Sequence, residues 1–128
     1  MVDNSKLFEK YKLNNNVEVP SRLAVAPLSL YGSDPSGHLL DEERQYLAKR
    51  ATGIGLYILG AAAVSLEGIG IMGQPRALSE KDIPSLAERA KIVKDQGALA
   101  VSYNTKIFQI FILLNLIINF LNIYEKNF

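Results

Sequence analysis

Three short, continuously apolar runs, separated by two charged segments with helical patterning, constrain this chain more than any other feature. They occupy residues 23–26, 55–64 and 98–101. A strand that is apolar at every position buries both faces, as the strands of a helix-covered parallel sheet do. The first run passes directly into Pro27. Proline can donate no ladder hydrogen bond, so the strand must leave the sheet there. Ligands of parallel α/β folds sit at the carboxyl ends of the strands, which makes the segment after Ala26 a candidate site. An ordinary buried strand with a plain turn fits the same residues.

The segments between the runs read as helices. Asp41, Glu42 and Glu43 open the first and Lys49 and Arg50 close it, the charge order that the helix dipole favours. Gly53 is placed to stop it. The second is expected over residues 80–96, with Ser79 as N-cap, Asp82 three residues on, and Ile83, Leu86, Ala87, Ala90 and Val93 on one face. Gly97 ends it. Strand, helix, strand, helix, strand, with glycines closing the helices, predicts parallel βαβ units. Ahead of them, residues 7–22 predict a short hairpin turning at Asn14-Asn15-Asn16.

At 128 residues the chain suffices for one domain, whereas an α/β barrel takes roughly 250. With 14 basic and 13 acidic side chains it carries no electrostatic footprint for nucleic acid. The absence of cysteine excludes disulfides, thiolate nucleophiles and cysteine metal sites. The first six residues show no secretory leader, so a cytoplasmic, reducing location is expected. His38 stands alone in a polar loop, without the carboxylate cluster a metal would require, and Lys91 and Lys94 read as a solvated helix face. Gly68, Gly70 and Gly73 spell Gly-x-Gly-x-x-Gly. No helix opens at the third glycine, because Gln74-Pro75-Arg76 intervene, so this is not a dinucleotide fingerprint.

Five ordered segments resemble the old yellow enzyme family, the FMN-dependent NADH:flavin oxidoreductases and ene-reductases. Arg22-Leu-Ala-Val-Ala-Pro-Leu-Ser29 is similar to the family's Asn-Arg-Ile-Val-Met-Ala-Pro-Met/Leu-Thr/Cys segment. Tyr46-Leu-Ala-Lys-Arg-Ala51 resembles its Tyr-x-x-x-Arg-Ala helix. Gly55-Leu-Tyr-Ile-Leu-Gly-Ala-Ala-Ala-Val-Ser-Leu-Glu-Gly68 is similar to its Gly-Leu-Ile-Ile-x-Glu-Ala-x-x-Val-x-Pro-x-Gly stretch. Ser79-Glu-Lys-Asp-Ile83 and Gln96-Gly97-Ala98 follow two further signatures.

The resemblance implies the N-terminal part, hairpin plus about three βα units, of an FMN-binding TIM (β/α)8 barrel. It implies that Ala26, Pro27 and Leu28 lie against the flavin ring and that Ser29 hydrogen-bonds its carbonyl-side edge. A hydroxyl there stabilises negative charge on the reduced ring. Ala61 matches the small residue whose backbone faces the flavin. NADH or NADPH is the implied reductant and a small molecule, such as an activated alkene, the acceptor. Three positions depart from the family pattern: Gly60 replaces its usual glutamate, Ser21 its asparagine, and Tyr103 the glutamine of Gln-x-x-His-x-Gly. The family's substrate-binding His/Asn or His/His pair, tyrosine proton donor and phosphate-clamping arginine belong to later strands, and residues 1–102 carry none of those.

Residues 103–128 are expected to be a divergent apolar tail. From Ile107 onward only Ile, Leu, Phe, Asn, Tyr, Lys, Glu and Gln occur, the types that A+T-rich codons specify. A frameshift or read-through product is the simplest account. A membrane or packing helix over residues 107–124 is the alternative, with Asn115, Asn119 and Asn122 on one face weighing against a lone span. A non-catalytic remnant that associates through this tail with membrane or a partner chain is accordingly the second functional reading. The oligomeric state is left open.

Overall fold

A computed structural model describes residues 4–105. The apolar helix expected over residues 107–124, and with it most of the tail, lies outside the described residues. The hairpin forms from β1 (Tyr11–Lys12) and β2 (Glu18–Val19), antiparallel, with Tyr11 opposite Val19. Asn16 takes the turn in the left-handed region at φ 65°, which asparagine tolerates better than most residues.

The three apolar runs become one parallel sheet in the order β3 (Ala24–Val25), β4 (Leu56–Ala63), β5 (Leu99–Thr105). β3 is shorter than its apolar run because the chain leaves the ladder ahead of Pro27. β5 extends beyond the expected boundary at 102, pairing Tyr103 with Ala61 and Asn104 with Ala62.

The helices are α1 (Asp41–Ala51) and α2 (Ile83–Asp95). Gly53 and Gly97 follow them at φ 76° and 89°, left-handed angles that end a helix at least cost on glycine. A turn of 3-10 helix, Glu80–Asp82, leads into α2, and the Ser79/Asp82 capping box forms. Pro84 sits in the first turn of α2, where its missing N–H costs nothing.

Both helices cover one face of the sheet. Leu47 and Ala51 of α1 and Val93 of α2 meet Tyr57 and Leu59, which alternate onto that face of β4, together with Leu39 and Ala98. Leu47 and Val93 are the largest side chains fully removed from water. The buried side of α2 differs from the apolar face expected for it. Ile83 is 59% exposed, whereas Arg89 is buried one turn from Val93. The sheet does not close into a barrel, and among the described residues the outer edge of β5 pairs with no further strand.

Candidate functional site

The carboxyl ends of β3 and β4 come together through one close approach. Val25 pairs with Tyr57, and an equal step along both chains brings Leu28 level with Gly60. A Cβ built on Gly60 would lie 2.6 Å from the Leu28 carbonyl oxygen and 3.3 Å from Ser29 Cα. No side chain fits there unless the turn moves away. This supplies a physical reason for glycine where the family pattern carries glutamate.

β4 is irregular at the same point. Ile58 pairs with Val101 and Ala61 with Tyr103, so β4 holds one more residue than β5 across Leu59–Gly60. Such a bulge bends the strand and re-aims the side chains beyond it.

Of the five expected site residues, Leu28 and Ser29 thus adjoin the Gly60–Ala61 segment. Ala26 and Pro27 lie where β3 leaves the sheet and take no part in that approach. Ala26, Pro27, Leu28 and Ser29 are exposed, Leu28 by 60%, and Ala61 is half-buried. The Ser29 hydroxyl makes no hydrogen bond with any described residue. An apolar turn, a free hydroxyl and a small-residue strand end fit the edge and face of a flat, partly apolar ring. Tyr103, in register with Ala61, supplies no carboxamide at the neighbouring strand end.

Beneath this turn lies a buried polar assembly that local patterning did not reveal. Leu28, Leu30 and Gly60 enclose a small space together with Glu43 and Arg89. Arg89 Nε donates to Glu43 Oε1 and Nη2 to Oε2, each at 3.0 Å, with side chains only 3% and 6% exposed. Ser33 Oγ donates to Glu43 Oε2 at 2.8 Å and accepts from Arg89 Nη2 at 2.7 Å. Arg89 Nη1 donates to Ser85 Oγ at 2.6 Å, and Ser85 Oγ accepts the Leu39 N–H at 2.9 Å. Arg89 Nη2 also reaches the Gly37 carbonyl at 3.3 Å. These bonds fix the loop that follows Ser29 onto both helices. Two buried charges are tolerable only with their hydrogen-bonding capacity met, and here the pair is two-pointed and further bonded.

A second anchor holds the far end of the loop. Asp34 Oδ1 accepts the N–H groups of Ser36 and His38, at 2.8 and 2.9 Å. The His38 bond keeps the Asp34 carboxyl below its ordinary pKa, against the opposing effect of burial, with help from Ser36. His38 lies between Asp34 (Nδ1 to Oδ2, 3.5 Å) and Asp82 (Nε2 to Oδ1, 3.9 Å), so it is less isolated than its loop position suggests. Arg76 Nη2 donates to the Pro35 carbonyl at 2.7 Å. The Gly68–Gly73 stretch opens no helix: a 3-10 turn at Leu66–Gly68 ends on its first glycine, and the Gly70 N–H donates to Gln74 Oε1. Among the described residues no group of three or more His, Asp or Glu could hold a metal ion, and no helix is long and apolar enough to cross a membrane.

A three-stranded parallel sheet with both helices on one face and an accessible turn at its carboxyl edge has the arrangement of a segment of a β/α barrel. Residues 6–102 match the family described as NADH:flavin oxidoreductase / NADH oxidase, and the chain belongs to that family. Enzymes of this family use FMN with NAD(P)H as reductant.

The chain is 34% identical over 95 residues to "Probable NADH-dependent flavin oxidoreductase YqiG" of Bacillus subtilis (strain 168), covering 74% of this chain and 26% of that protein. It is 27% identical over 101 residues to the NADH:fumarate oxidoreductase of Klebsiella pneumoniae (strain 342), covering 79% of this chain and 11% of that one. The old yellow enzyme of Pichia sp. AKU4542 shares the fold at a TM-score of 0.70 and 18% identity, over 79% of this chain and 26% of that chain. A 2-naphthoyl-CoA reductase gives 0.73 at 25% identity, over 78% and 15%. The chain thus spans about a quarter, or less, of the length of these relatives.

Proposed function

We propose that residues 6–102 form the first wall of an FMN site in an oxidoreductase that passes hydride from NADH or NADPH to an activated alkene or similar small acceptor. The observation that carries this reading is the meeting of Leu28 and Ser29 with Gly60 at the carboxyl ends of adjacent parallel strands. When bound, the flavin supplies the hydride-accepting and hydride-donating ring. Ala26, Pro27 and Leu28 offer it an apolar surface. Ala61 has only a methyl group, so the ring can come close to the β4 backbone. Ser29 Oγ donates a hydrogen bond to the O4 and N5 edge, where negative charge gathers on reduction, and so favours the reduced form.

A second reading draws on the edge of β5, which pairs with no further strand among the described residues, and on Tyr103 at the glutamine position. On it the chain is a non-catalytic remnant that associates with membrane or with another chain. Titrating the purified chain into FMN and following flavin fluorescence separates the two. The first reading expects quenching, with a lower flavin potential in Ser29→Ala than in the wild type. Colourless protein that leaves the fluorescence of added FMN unchanged overturns it.

A further inference from the structure

We propose that Gly60 is a positioning residue, whose missing side chain sets how closely the Leu28–Ser29 turn stands to the Gly60–Ala61 segment of β4. The proposal rests on reading that turn and Ala61 as a flavin wall, and it adds the element that fixes the spacing between them. Three observations converge on position 60. The space a Cβ would need is filled by main chain, the Leu28 carbonyl oxygen at 2.6 Å and Ser29 Cα at 3.3 Å, not by a flexible side-chain end that could swing aside. Gly60 is not among the glycines with positive φ, so what demands glycine is space and not backbone conformation. The extra residue of β4 lies at Leu59–Gly60, which turns the strand just ahead of Ala61.

The turn has little freedom to retreat, because the Leu30–Leu39 stretch behind it is held by Ser33, Glu43 and Arg89. A side chain at 60 must therefore displace Leu28 and Ser29 outward and change the width of the wall. Gly70 provides a matched control in the loop that follows β4. Its φ is not positive, and an added Cβ would meet only Gln74 Oε1 at 3.8 Å, an ordinary contact.

The test compares the wild-type chain of residues 1–128 with Gly60→Ala and Gly70→Ala. Residual dipolar couplings of the Leu28, Ser29 and Leu30 N–H vectors report the placement of the turn without any flavin. Titration with FMN reports the wall. In Gly60→Ala these three couplings are expected to depart from their wild-type values, since crowding of this kind forces main chain aside. The Leu47 and Val93 couplings stay unchanged, FMN binding weakens by about tenfold and the visible band of bound flavin shifts. Gly70→Ala keeps the wild-type couplings at the turn and an FMN affinity within about twofold of the wild type.

Unaltered couplings at Leu28 and Ser29 in Gly60→Ala overturn the proposal. Altered couplings at the turn with unchanged FMN affinity and spectrum support the positioning role and overturn the flavin reading instead. Should Gly60→Ala fail to fold, the wild type decides the matter: a nuclear Overhauser contact between Gly60 Hα and Ser29 Hα is expected, and its absence overturns the proposal.

Discussion

Arg89 of α2 and Glu43 of α1 form a two-point ion pair away from water, both contacts at 3.0 Å, directly below the turn that carries Ser29. Removing one partner leaves an uncompensated buried charge. Arg89→Met or Glu43→Gln is expected to cost about 3–5 kcal/mol in denaturant unfolding. The double variant Glu43→Leu/Arg89→Met should recover most of that loss, because a desolvated pair and a well-packed apolar pair of similar volume differ little. Single variants as stable as the wild type would show that water reaches the pair.

Gly55 and Gly53 are close in sequence and demand glycine for opposite reasons. A Cβ on Gly55 would lie 2.0 Å from the Ser21 carbonyl oxygen, whereas one on Gly53 would meet nothing within 4 Å but would sit at φ 76°. Gly55→Ala is expected to destabilise by about 3 kcal/mol or more through crowding. Gly53→Ala should cost only about 1–2 kcal/mol through conformation. Gly53→Asn should recover part of the latter, since asparagine visits left-handed angles, and thermal unfolding of the three variants measures the ranking.

Asp82 links the acid limb of stability to the start of α2. Burial raises its carboxyl pKa, but the N–H groups of Ser79 and Leu78, at 2.8 and 3.0 Å, outweigh that and leave it below its ordinary value of 3.8. A value depressed by folding gives stability that is present above 3.8 and is lost as pH falls through the lower, folded value. Asp82→Asn should lower the unfolding midpoint at neutral pH and flatten its decline in acid. An acid limb as steep in the variant as in the wild type would assign the loss to other carboxylates.

Tyr57 governs the alkaline limb. Burial above all, then the nearby Tyr46 and Glu43 against an opposing Arg50, push its hydroxyl up to about 12 from 10.0. A raised value means that the stabilisation is complete below 10.0 and declines as pH rises toward 12. Spectroscopic titration of tyrosinate should show one tyrosine ionising late, and Tyr57→Phe should remove it. An unchanged titration curve in the variant would contradict this.

Much of the scaffold is legible in local chemistry. The apolar runs, Gly53 and Gly97 as helix stops, and Ser79 with Asp82 as a cap all act within a few residues of one another, and each forms as expected. Arg89 was not legible, because counting apolar residues along α2 cannot register a charge whose partner lies 46 residues upstream on another helix. The same limit applies at Gly60. It reads as one more small residue in a strand until the Leu28 carbonyl is located beside it. Ser29 is intermediate: the proline-ended strand marks where a ligand would sit, but only the register of β3 on β4 brings Leu28 and Ser29 level with Gly60 and Ala61.

The buried pair also orders events during synthesis. Ser33 reaches Glu43 across 10 residues, so that bond can form as soon as α1 exists. Arg89 lies 46 residues beyond Glu43 and 56 beyond Ser33. At a growth rate of about 5–20 residues per second, the nascent chain passes several seconds with the Glu43 carboxylate awaiting its guanidinium. Until α2 emerges, the loop behind Ser29 has an anchor on one side only. The loop behind Leu28 and Ser29 gains its second anchor only once α2 has arrived, and a ribosome paused before Arg89 would hold a chain in which that loop is tied to α1 alone.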